Sequence, residues 1–176
     1  SGSGSGSIAG SGAYRRGATA TLTATPSSGS LFTGWYDETG NLLSSSATYS
    51  FAVNSNVTVY AQFSVSRSVT VKAAGSGSTT GAGTYASGAL VTLTASAAKE
   101  HTFLGWYDRN GTLLSTNSTY SFTVTSDVAI TAQFGSVITL KSSRSGSVAG
   151  AGAYPDNTEV TLTAQPAEGH TFQGWY

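Results

Sequence analysis

The chain has 176 residues, of which eight are acidic and eight are basic, so it carries no formal net charge, and it contains no cysteine. This balance argues against a nucleic-acid partner, which needs a concentrated basic patch, and the lack of cysteine excludes disulfides and thiolate metal sites. No stretch approaches the ~18 apolar residues of a membrane-spanning helix, so we expect no membrane insertion in this segment. Serine and threonine, with 29 and 26 residues, supply most of the polarity. Few charges, many hydroxyls and no cysteine favour an extracellular or cell-surface location.

Three short sequences recur with one period of about 70 residues. They are Gly-Trp-Tyr at 34–36, 105–107 and 174–176, Ala-Gln-Phe at 61–63 and 132–134, and a glycine-rich segment that ends at Tyr14, Tyr85 and Tyr154. Because three independent motifs keep the same period, the chain is predicted to be a tandem array.

The period predicts three repeats. Repeat 1 spans residues 1–64 and lacks its first strand, repeat 2 spans residues 65–135 and is complete, and repeat 3 spans residues 136–176 and contains only its first half. Because the 176 residues contain only parts of repeats 1 and 3, we expect the parent array to be longer. Ser1 to Gly4 are either a native glycine-rich tail or a linker, and the sequence leaves both alternatives open.

The first half of a repeat combines a glycine-rich segment with an alternating one. In repeat 2, Gly75 to Gly83 are predicted to form tight turns or bulges. Val91, Leu93 and Ala95 then alternate with threonines. This period-two pattern is typical of an antiparallel strand that packs one face on a core and presents the other to water.

The second half of a complete repeat contains turn signals and two further alternating runs. Asn110-Gly111, just after Gly-Trp-Tyr, is the strongest local signal for a hairpin. Tyr120 to Val124 and Val128 to Phe134 alternate in the same way and are separated by three turn-forming residues, which predicts a β-hairpin. No segment combines helical spacing, caps and sufficient length. We therefore predict all-β modules of five or six short strands.

The order of these motifs resembles a known family. Gly88 to Ala95, Phe103 to Tyr107 and Val128 to Phe134 are similar to the Listeria–Bacteroides repeat, also called the internalin B-repeat, in its divergent branch. The resemblance covers essentially the whole chain. It implies a compact β-grasp-like fold and a place in bacterial secreted or surface proteins that carry many repeats. Since no grasp helix is evident, the expected fold class is all-β, with tandem small antiparallel β modules that are β-grasp-like with little or no helix.

The recurring tryptophans Trp35, Trp106 and Trp175 are the candidate ligand-contact residues. An indole face can stack on a sugar, and strict alternation would place Trp106 on the face opposite Phe103. The alternative is that each indole packs in the core of its own repeat, over a bend at Gly105 or against a neighbouring repeat. Recurrence favours this structural interpretation because every repeat needs its own core. The exposure of the indoles distinguishes the two.

The remaining polar residues do not form a recurring chemical site. His101 and His170 occupy matching positions without a second ligand at metal-binding spacing, which predicts surface or turn histidines. Asp37 and Asp108 begin turns that supply too few oxygens for calcium, which predicts turn capping. No nucleophile, base and acid recur together, and no carboxylate pair recurs. We therefore expect no catalytic, metal-binding or cofactor-binding residue, no cofactor and no enzymatic activity.

The leading functional hypothesis is a non-enzymatic stalk or spacer segment of a bacterial secreted or cell-surface protein, such as an adhesin. Its partners would then be the neighbouring repeats of the same chain. Two alternatives stay open. One is an adhesion module that binds a surface glycan or protein multivalently through its aromatic residues. The other is a subunit of a self-assembling extracellular fibre, which forms by homotypic pairing of free strand edges.

Overall fold

The computed structural model describes residues 3–142 and 146–176. Residues 1–2 of the Ser1–Gly4 tail and residues 143–145 of predicted repeat 3 lie outside the described residues. Every regular element in the described ranges is a β-strand, and the strand pairs with an assigned register are antiparallel. The all-β fold class predicted from the sequence is therefore confirmed. The β-grasp-like arrangement stays a prediction.

Sixteen strands form within the described residues. In chain order they are β1 (Gly6–Ala9), β2 (Thr19–Pro26), β3 (Ser30–Tyr36), β4 (Leu42–Ser44), β5 (Thr48–Ala52), β6 (Tyr60–Ala74), β7 (Gly77–Thr80), β8 (Gly83–Ala86), β9 (Leu90–Ala97), β10 (Thr102–Asp108), β11 (Leu113–Ser115), β12 (Thr119–Thr123), β13 (Val128–Ile138), β14 (Gly146–Ala149), β15 (Gly152–Pro155) and β16 (Thr163–Pro166).

The chain is organised in two compact units. Unit 1 comprises Ser1–Val69, Gly83–Val91 and Phe122–Val128, and unit 2 comprises Thr70–Ala82, Thr92–Ser121 and Ala129–Tyr176. These units group residues by spatial proximity. The repeat boundaries derived from the sequence period stay a prediction.

Unit 1 contains a three-stranded sheet in the order β1-β2-β5. Its central strand β2 shows the predicted alternation, because Ala20 and Ala24 are buried while the threonines between them are exposed. On the exposed face the hydroxyls of Thr21 and Ser50 are hydrogen-bonded across the strands at 2.9 Å. Elsewhere in unit 1, β3 pairs with both β4 and β6. The threonine-rich face is thus the solvated face, as the sequence predicted.

The corresponding strands of the later repeats lie wholly or mainly in unit 2. β9 lies between β7 and β12, β10 lies between β11 and β13, and β14 pairs with β16. The hairpin predicted at Asn110-Gly111 is confirmed, since β10 and β11 are antiparallel neighbours on either side of this turn. Gly111 has a φ of 81°, which glycine adopts without the strain of a side chain.

The second predicted hairpin is wrong. β5 pairs with β2 and β6 pairs with β3, so the two alternating runs of repeat 1 lie in different sheets. In repeat 2, β12 lies beside β9 while β13 pairs with β10. The three turn-forming residues carry the chain from one sheet to another. Alternation predicts that each run is a half-buried strand. Two strands in different sheets around a common core show the same alternation as the two strands of a hairpin.

The glycine-rich segments contain strands that the sequence did not predict. In repeat 2 these are β7, which pairs with β9, and β8, which pairs with β6. Gly81, between β7 and β8, has a φ of 96° and permits the bend that separates them. The prediction of turns or bulges is therefore wrong for most of this segment, and the complete repeat has more than the five or six strands expected.

The segments that follow the two Ala-Gln-Phe motifs, where one repeat passes into the next, are themselves strands. Ser66–Val69, within β6, pairs with Gly83–Ala86 of repeat 2, and Gly135–Ile138, within β13, pairs with Gly152–Pro155 of repeat 3. We call Ser66–Val69 and Gly135–Ile138 the connecting strands. Each connecting strand pairs with the glycine-rich strand that follows it in the chain, so the same junction is built twice.

The core is formed by the recurring aromatic and β-branched residues. The largest fully buried side chains in the described part of the chain are Trp35, Trp106, Phe134, Leu93, Val69, Val91 and Val124. Members of the Gly-Trp-Tyr and Ala-Gln-Phe motifs thus lie in the interior of repeats 1 and 2. Their recurrence reflects the requirement that each repeat bury its own apolar surface.

Candidate functional site

Two of the three candidate tryptophans lie in the core. The exposed fraction is 1% for Trp35, in β3, and 0% for Trp106, in β10. Each indole N–H donates to a backbone carbonyl eleven residues later, Ser46 at 3.1 Å and Asn117 at 3.0 Å. A buried indole with a satisfied N–H offers no face to a sugar in this structure. Trp175 is 45% exposed, and ligand contact by these residues stays a prediction.

A β-bulge orients the tryptophans toward the core. The register of β10 against β13 shifts between Phe103 and Gly105, and the Phe103 and Trp106 rings meet with centroids 5.4 Å apart. The alternation that placed Phe103 and Trp106 on opposite faces is therefore wrong. An extra residue in one strand reverses the side-chain parity beyond it. β3 has the same shift before Gly34, and Phe32 and Trp35 lie 5.5 Å apart.

Repeat 1 contains a cavity of about 400 Å³. The glycine-rich segment forms one wall, with Ile8, Gly12 and Tyr14, and the chain around Val57 and Val59 forms another. Trp35 contributes to the lining although it is almost fully buried. The side chains that surround this space are mostly apolar, and it is the strongest candidate for a binding site in unit 1.

Three residues that line this cavity have buried counterparts in repeat 2 although they are themselves partly exposed. Repeat 2 numbers lie 71 positions beyond those of repeat 1, as for Trp35 and Trp106 (106 − 35 = 71). These three partly exposed cavity-lining residues of repeat 1 are Leu22, Val53 and Val59. Their repeat 2 counterparts with exposed fractions of 0–5% are Leu93, Val124 and Ile130. At these three positions, repeat 1 is therefore more exposed than repeat 2.

The aspartates that begin the turns after Gly-Trp-Tyr cap those turns. Asp37 Oδ1 accepts the backbone N–H groups of Thr39 and Asn41, both at 2.9 Å, and the Thr39 hydroxyl at 2.7 Å. Hydrogen bonds to the carboxylate, of which that from the Thr39 hydroxyl has the largest effect, lower the pKa of Asp37 to about 2. Asp108 accepts the Thr112 N–H at 2.8 Å, which is the main cause of its lowered pKa. The predicted capping role is confirmed.

One carboxylate joins segments of repeats 2 and 3 within unit 2. Asp156 Oδ2 accepts the backbone N–H of Ser76 at 2.8 Å, and Asp156 Oδ1 lies 3.2 Å from Nδ1 of His101. The Ser76 N–H is the largest cause of the lowered pKa of Asp156. Sequence reasoning placed His101 at a turn but missed this partner, which lies 55 residues away. His170 is exposed. Within the described ranges, no group of three His, Cys, Asp or Glu could hold a metal ion.

Comparison with protein families decides the relationship of the chain. The model of the divergent InlB B-repeat domain matches it in three successive segments, residues 1–67, 67–138 and 136–176. The chain belongs to this family. The relationship inferred from the B-repeat motifs is thereby confirmed. The family is one of bacterial surface proteins, and its repeats are typically non-enzymatic.

No curated protein and no solved structure matches this B-repeat chain. In the described part of the chain, no helix has the length and apolar character needed to span a membrane.

The cavity is the feature of the B-repeat chain that sequence reasoning missed. Its lining residues, such as Ile8 and Val57, are ordinary strand residues and carry no motif. A comparison between the repeats gives no signal either, because the apolar lining residues Leu22, Val53 and Val59 have apolar counterparts 71 positions later.

Proposed function

We propose that this B-repeat chain is a non-enzymatic spacer of a bacterial secreted or cell-surface protein, in which each repeat is held to the next by a connecting strand. The observation that carries the proposal is the junction that recurs at Ser66–Val69 and Gly135–Ile138. A linker that pairs as a strand has little conformational freedom, unlike a Gly/Ser-rich coil. A spacer needs this property because it must transmit position from one repeat to the next.

Side-chain and backbone contacts anchor the first connecting strand. The Ser66 N–H donates to the Gly29 carbonyl at 2.9 Å, and the Ser68 N–H donates to Asp127 Oδ1 at 2.9 Å. The Ser87 N–H donates to the Val65 carbonyl at 2.8 Å. The connecting strand is therefore bonded to residues of repeats 1 and 2 alike.

Amide hydrogen exchange tests the spacer proposal. We expect the Ser66 and Ser68 amides to exchange as slowly as the amide of the buried residue Ala24, which donates to the Ala47 carbonyl. The exposed turn at residues 38–40 provides the fast reference. If the connecting-strand amides exchange at the rate of this turn, the junction is a flexible linker and the spacer proposal is wrong.

A second candidate function is adhesion to a surface glycan or protein. It is favoured by the exposure of Trp175 and of Phe172, whose rings meet at 5.4 Å. Repeats 1 and 2 bury the corresponding indoles, so Trp175 is the accessible one of the three candidate tryptophans in the structure. A glycan array probed with the intact chain and with Trp175→Ala tests it. Signal from the intact chain that the variant loses supports adhesion, and silence from both contradicts it.

A further inference from the structure

The residues just before β1 and β7 have the same backbone partner within their own repeats. Before β1, the Ser5 carbonyl accepts the Ser27 N–H at 2.9 Å. Before β7, the Ser76 carbonyl accepts the Ala98 N–H at 3.0 Å. Both residues of the second bond lie 71 positions beyond those of the first (76 − 5 = 71, 98 − 27 = 71). Ser5 and Ser76 are therefore equivalent in structure as well as in sequence position.

The N–H groups of these two residues have different acceptors. The Ser5 N–H donates to Ser30 Oγ at 2.9 Å, within repeat 1. In repeat 2, His101 occupies the position of Ser30 (101 − 30 = 71). The Ser76 N–H donates instead to Asp156 Oδ2 at 2.8 Å, in repeat 3. Repeat 1 thus satisfies this backbone group with its own side chain, whereas repeat 2 uses a side chain of the repeat that follows.

His101 has the same carboxylate as its partner. Its Nδ1 lies 3.2 Å from Asp156 Oδ1, and the two side chains are 27% and 15% exposed. The Ser76 N–H is the main cause that keeps the pKa of Asp156 low, so this carboxylate is ionised at neutral pH. An ionised carboxylate can only accept hydrogen bonds, so Nδ1 of His101 is the donor. Gly75 leaves room for the carboxylate, since a Cβ there would lie 2.9 Å from Asp156 Oδ2.

The position of Asp156 has an equivalent at the other connecting strand. Ser87 follows β8 and Asp156 follows β15, the strands that pair with the connecting strands, and we call these places the first and second junctions. The Ser87 N–H donates to the Val65 carbonyl at 2.8 Å. The Asp156 N–H donates to the Phe134 carbonyl at 3.4 Å, again 69 positions later (156 − 87 = 69, 134 − 65 = 69). Ser87 therefore stands at the first junction where Asp156 stands at the second.

We propose that His101 and Asp156 are a matched pair that selects which B-repeat can follow repeat 2, and that the partner it accepts carries a carboxylate directly after the strand that pairs with the connecting strand. A repeat with a serine such as Ser30 satisfies its own amide and accepts a neutral residue such as Ser87. A repeat with histidine at this position has no hydroxyl for the amide, and leaving that amide unpaired costs stability. The inference rests on the spacer proposal, because it adds to the connecting strand a contact that selects the neighbour.

Amide exchange of Ser76 in the intact chain tests the pair. Asp156→Ser installs the residue type of the first junction and removes the acceptor. We expect the Ser76 amide to exchange at least about tenfold faster in this variant. Adding His101→Ser should restore slow exchange, because serine at this position can accept the amide as Ser30 accepts that of Ser5. Circular dichroism checks that each variant is folded.

Two controls separate the hydroxyl from other effects. His101→Ala combined with Asp156→Ser removes the imidazole without supplying an acceptor, so the Ser76 amide should stay fast. Asp127→Ser removes the carboxylate that accepts the Ser68 N–H at the first junction. This variant should speed exchange of Ser68 and leave Ser76 slow, and His101→Ser should not restore Ser68.

The reverse exchange tests the same pairing at the first junction. Ser30→His removes the acceptor of the Ser5 N–H, so we expect the Ser5 amide to exchange at least about tenfold faster. Adding Ser87→Asp should restore slow exchange, and Ser87→Asp alone should leave the Ser5 amide slow. If a variant of the second junction does not fold, the first junction carries the test by itself.

Three results would overturn the inference. The first is unchanged exchange of the Ser76 amide in Asp156→Ser. The second is equal exchange of this amide in the double variants that contain His101→Ser and His101→Ala. The third is failure of Ser87→Asp to restore slow exchange of the Ser5 amide in the Ser30→His chain.

The same spectra keep this test apart from that of the spacer. The Ser66 and Ser68 amides, whose slow exchange tests the spacer proposal, have acceptors other than residues 101 and 156. They should therefore stay slow in all variants of the second junction. Slow exchange there with no rescue at Ser76 would overturn the matched pair and leave the spacer standing, whereas fast exchange at Ser66 and Ser68 in the unsubstituted chain would overturn both.

Discussion

Trp35 and Trp106 show why one residue type recurs at one position. An indole buries a large apolar area but also one N–H, and burying that group without a partner is costly. The carbonyls of Ser46 and Asn117 satisfy it at equivalent places. Phenylalanine could fill much of the space without using this carbonyl. The hydrogen bond therefore explains the recurrence of tryptophan better than apolar character alone.

Substitution of Trp106 tests its structural role. We expect Trp106→Ala to reduce the free energy of unfolding by about 3–5 kcal/mol, because a large buried side chain is lost and a cavity remains. Trp106→Phe should cost about 1–3 kcal/mol, mainly through the unpaired Asn117 carbonyl. Urea denaturation measures both. Trp175→Ala is the control, and equal losses at Trp106 and Trp175 would contradict a core role for Trp106.

The Asp37 turn predicts a pH dependence at acid pH. Folding lowers the pKa of Asp37 from 3.8 to about 2. A carboxylate whose pKa is lowered on folding stabilises the folded state above its unfolded pKa, and this stabilisation is lost as the pH falls from about 4 to about 2. NMR titration of the Asp37 carboxylate should give a midpoint near 2. The Asp37→Asn variant should lose this part of the acid dependence, and a midpoint near 3.8 would contradict the capping geometry.

At the scale of elements, the sequence predicts strands more reliably than their partners. The alternation of β2 and β9 identified both strands and their solvated threonine faces. The same kind of pattern at Tyr120 to Val124 and Val128 to Phe134 identified two strands but assigned them to one hairpin. Pairing depends on which sheets meet, and a period of two is the same in every sheet.

Irregular positions explain the other differences between prediction and structure. The glycine-rich segments lack apolar alternation, so β7 and β8 have no pattern to reveal them. The bulge before Gly105 shifts side-chain parity by one, and a simple alternation cannot show it. The cavity was not predicted for a third reason. The apolar residues around that space have apolar counterparts in repeat 2, so no sequence pattern distinguishes it.

Val69 and Val57 form a matched pair for testing the connecting strand. Val69 is 1% exposed and Val57 is 55% exposed. We expect Val69→Ala to lower the free energy of unfolding by about 1.5–3 kcal/mol, because a fully buried valine side chain is truncated. Val57→Ala should cost under about 0.5 kcal/mol, as an exposed substitution does. Urea denaturation compares them, and similar losses would show that the connecting strand contributes little to stability.

At the scale of the whole molecule, hydroxyls replace charge on the surface. Only 9% of the residues are charged, and the acidic and basic residues are equal in number. In the described part of the chain, the ion pair between Lys99 and Glu100 has side chains that are 92% and 82% exposed. Exposed pairs of this kind contribute little to stability. Stability must therefore come from apolar burial and strand pairing.

This balance of charge predicts a low sensitivity to salt at neutral pH. Salt acts on folding largely by screening charges. In this chain the attractive and repulsive interactions between charged side chains are few, and they offset each other. We expect the unfolding temperature at pH 7 to change by less than about 2 °C between low and about 0.5 M sodium chloride. At about pH 3 most carboxylates are neutral and the eight lysines and arginines are unbalanced, so salt should stabilise the chain there by screening their repulsion. Thermal melts followed by circular dichroism measure both conditions. A larger salt effect at pH 7 than at pH 3 would show that ion pairs, and not apolar burial with strand pairing, hold the repeats together.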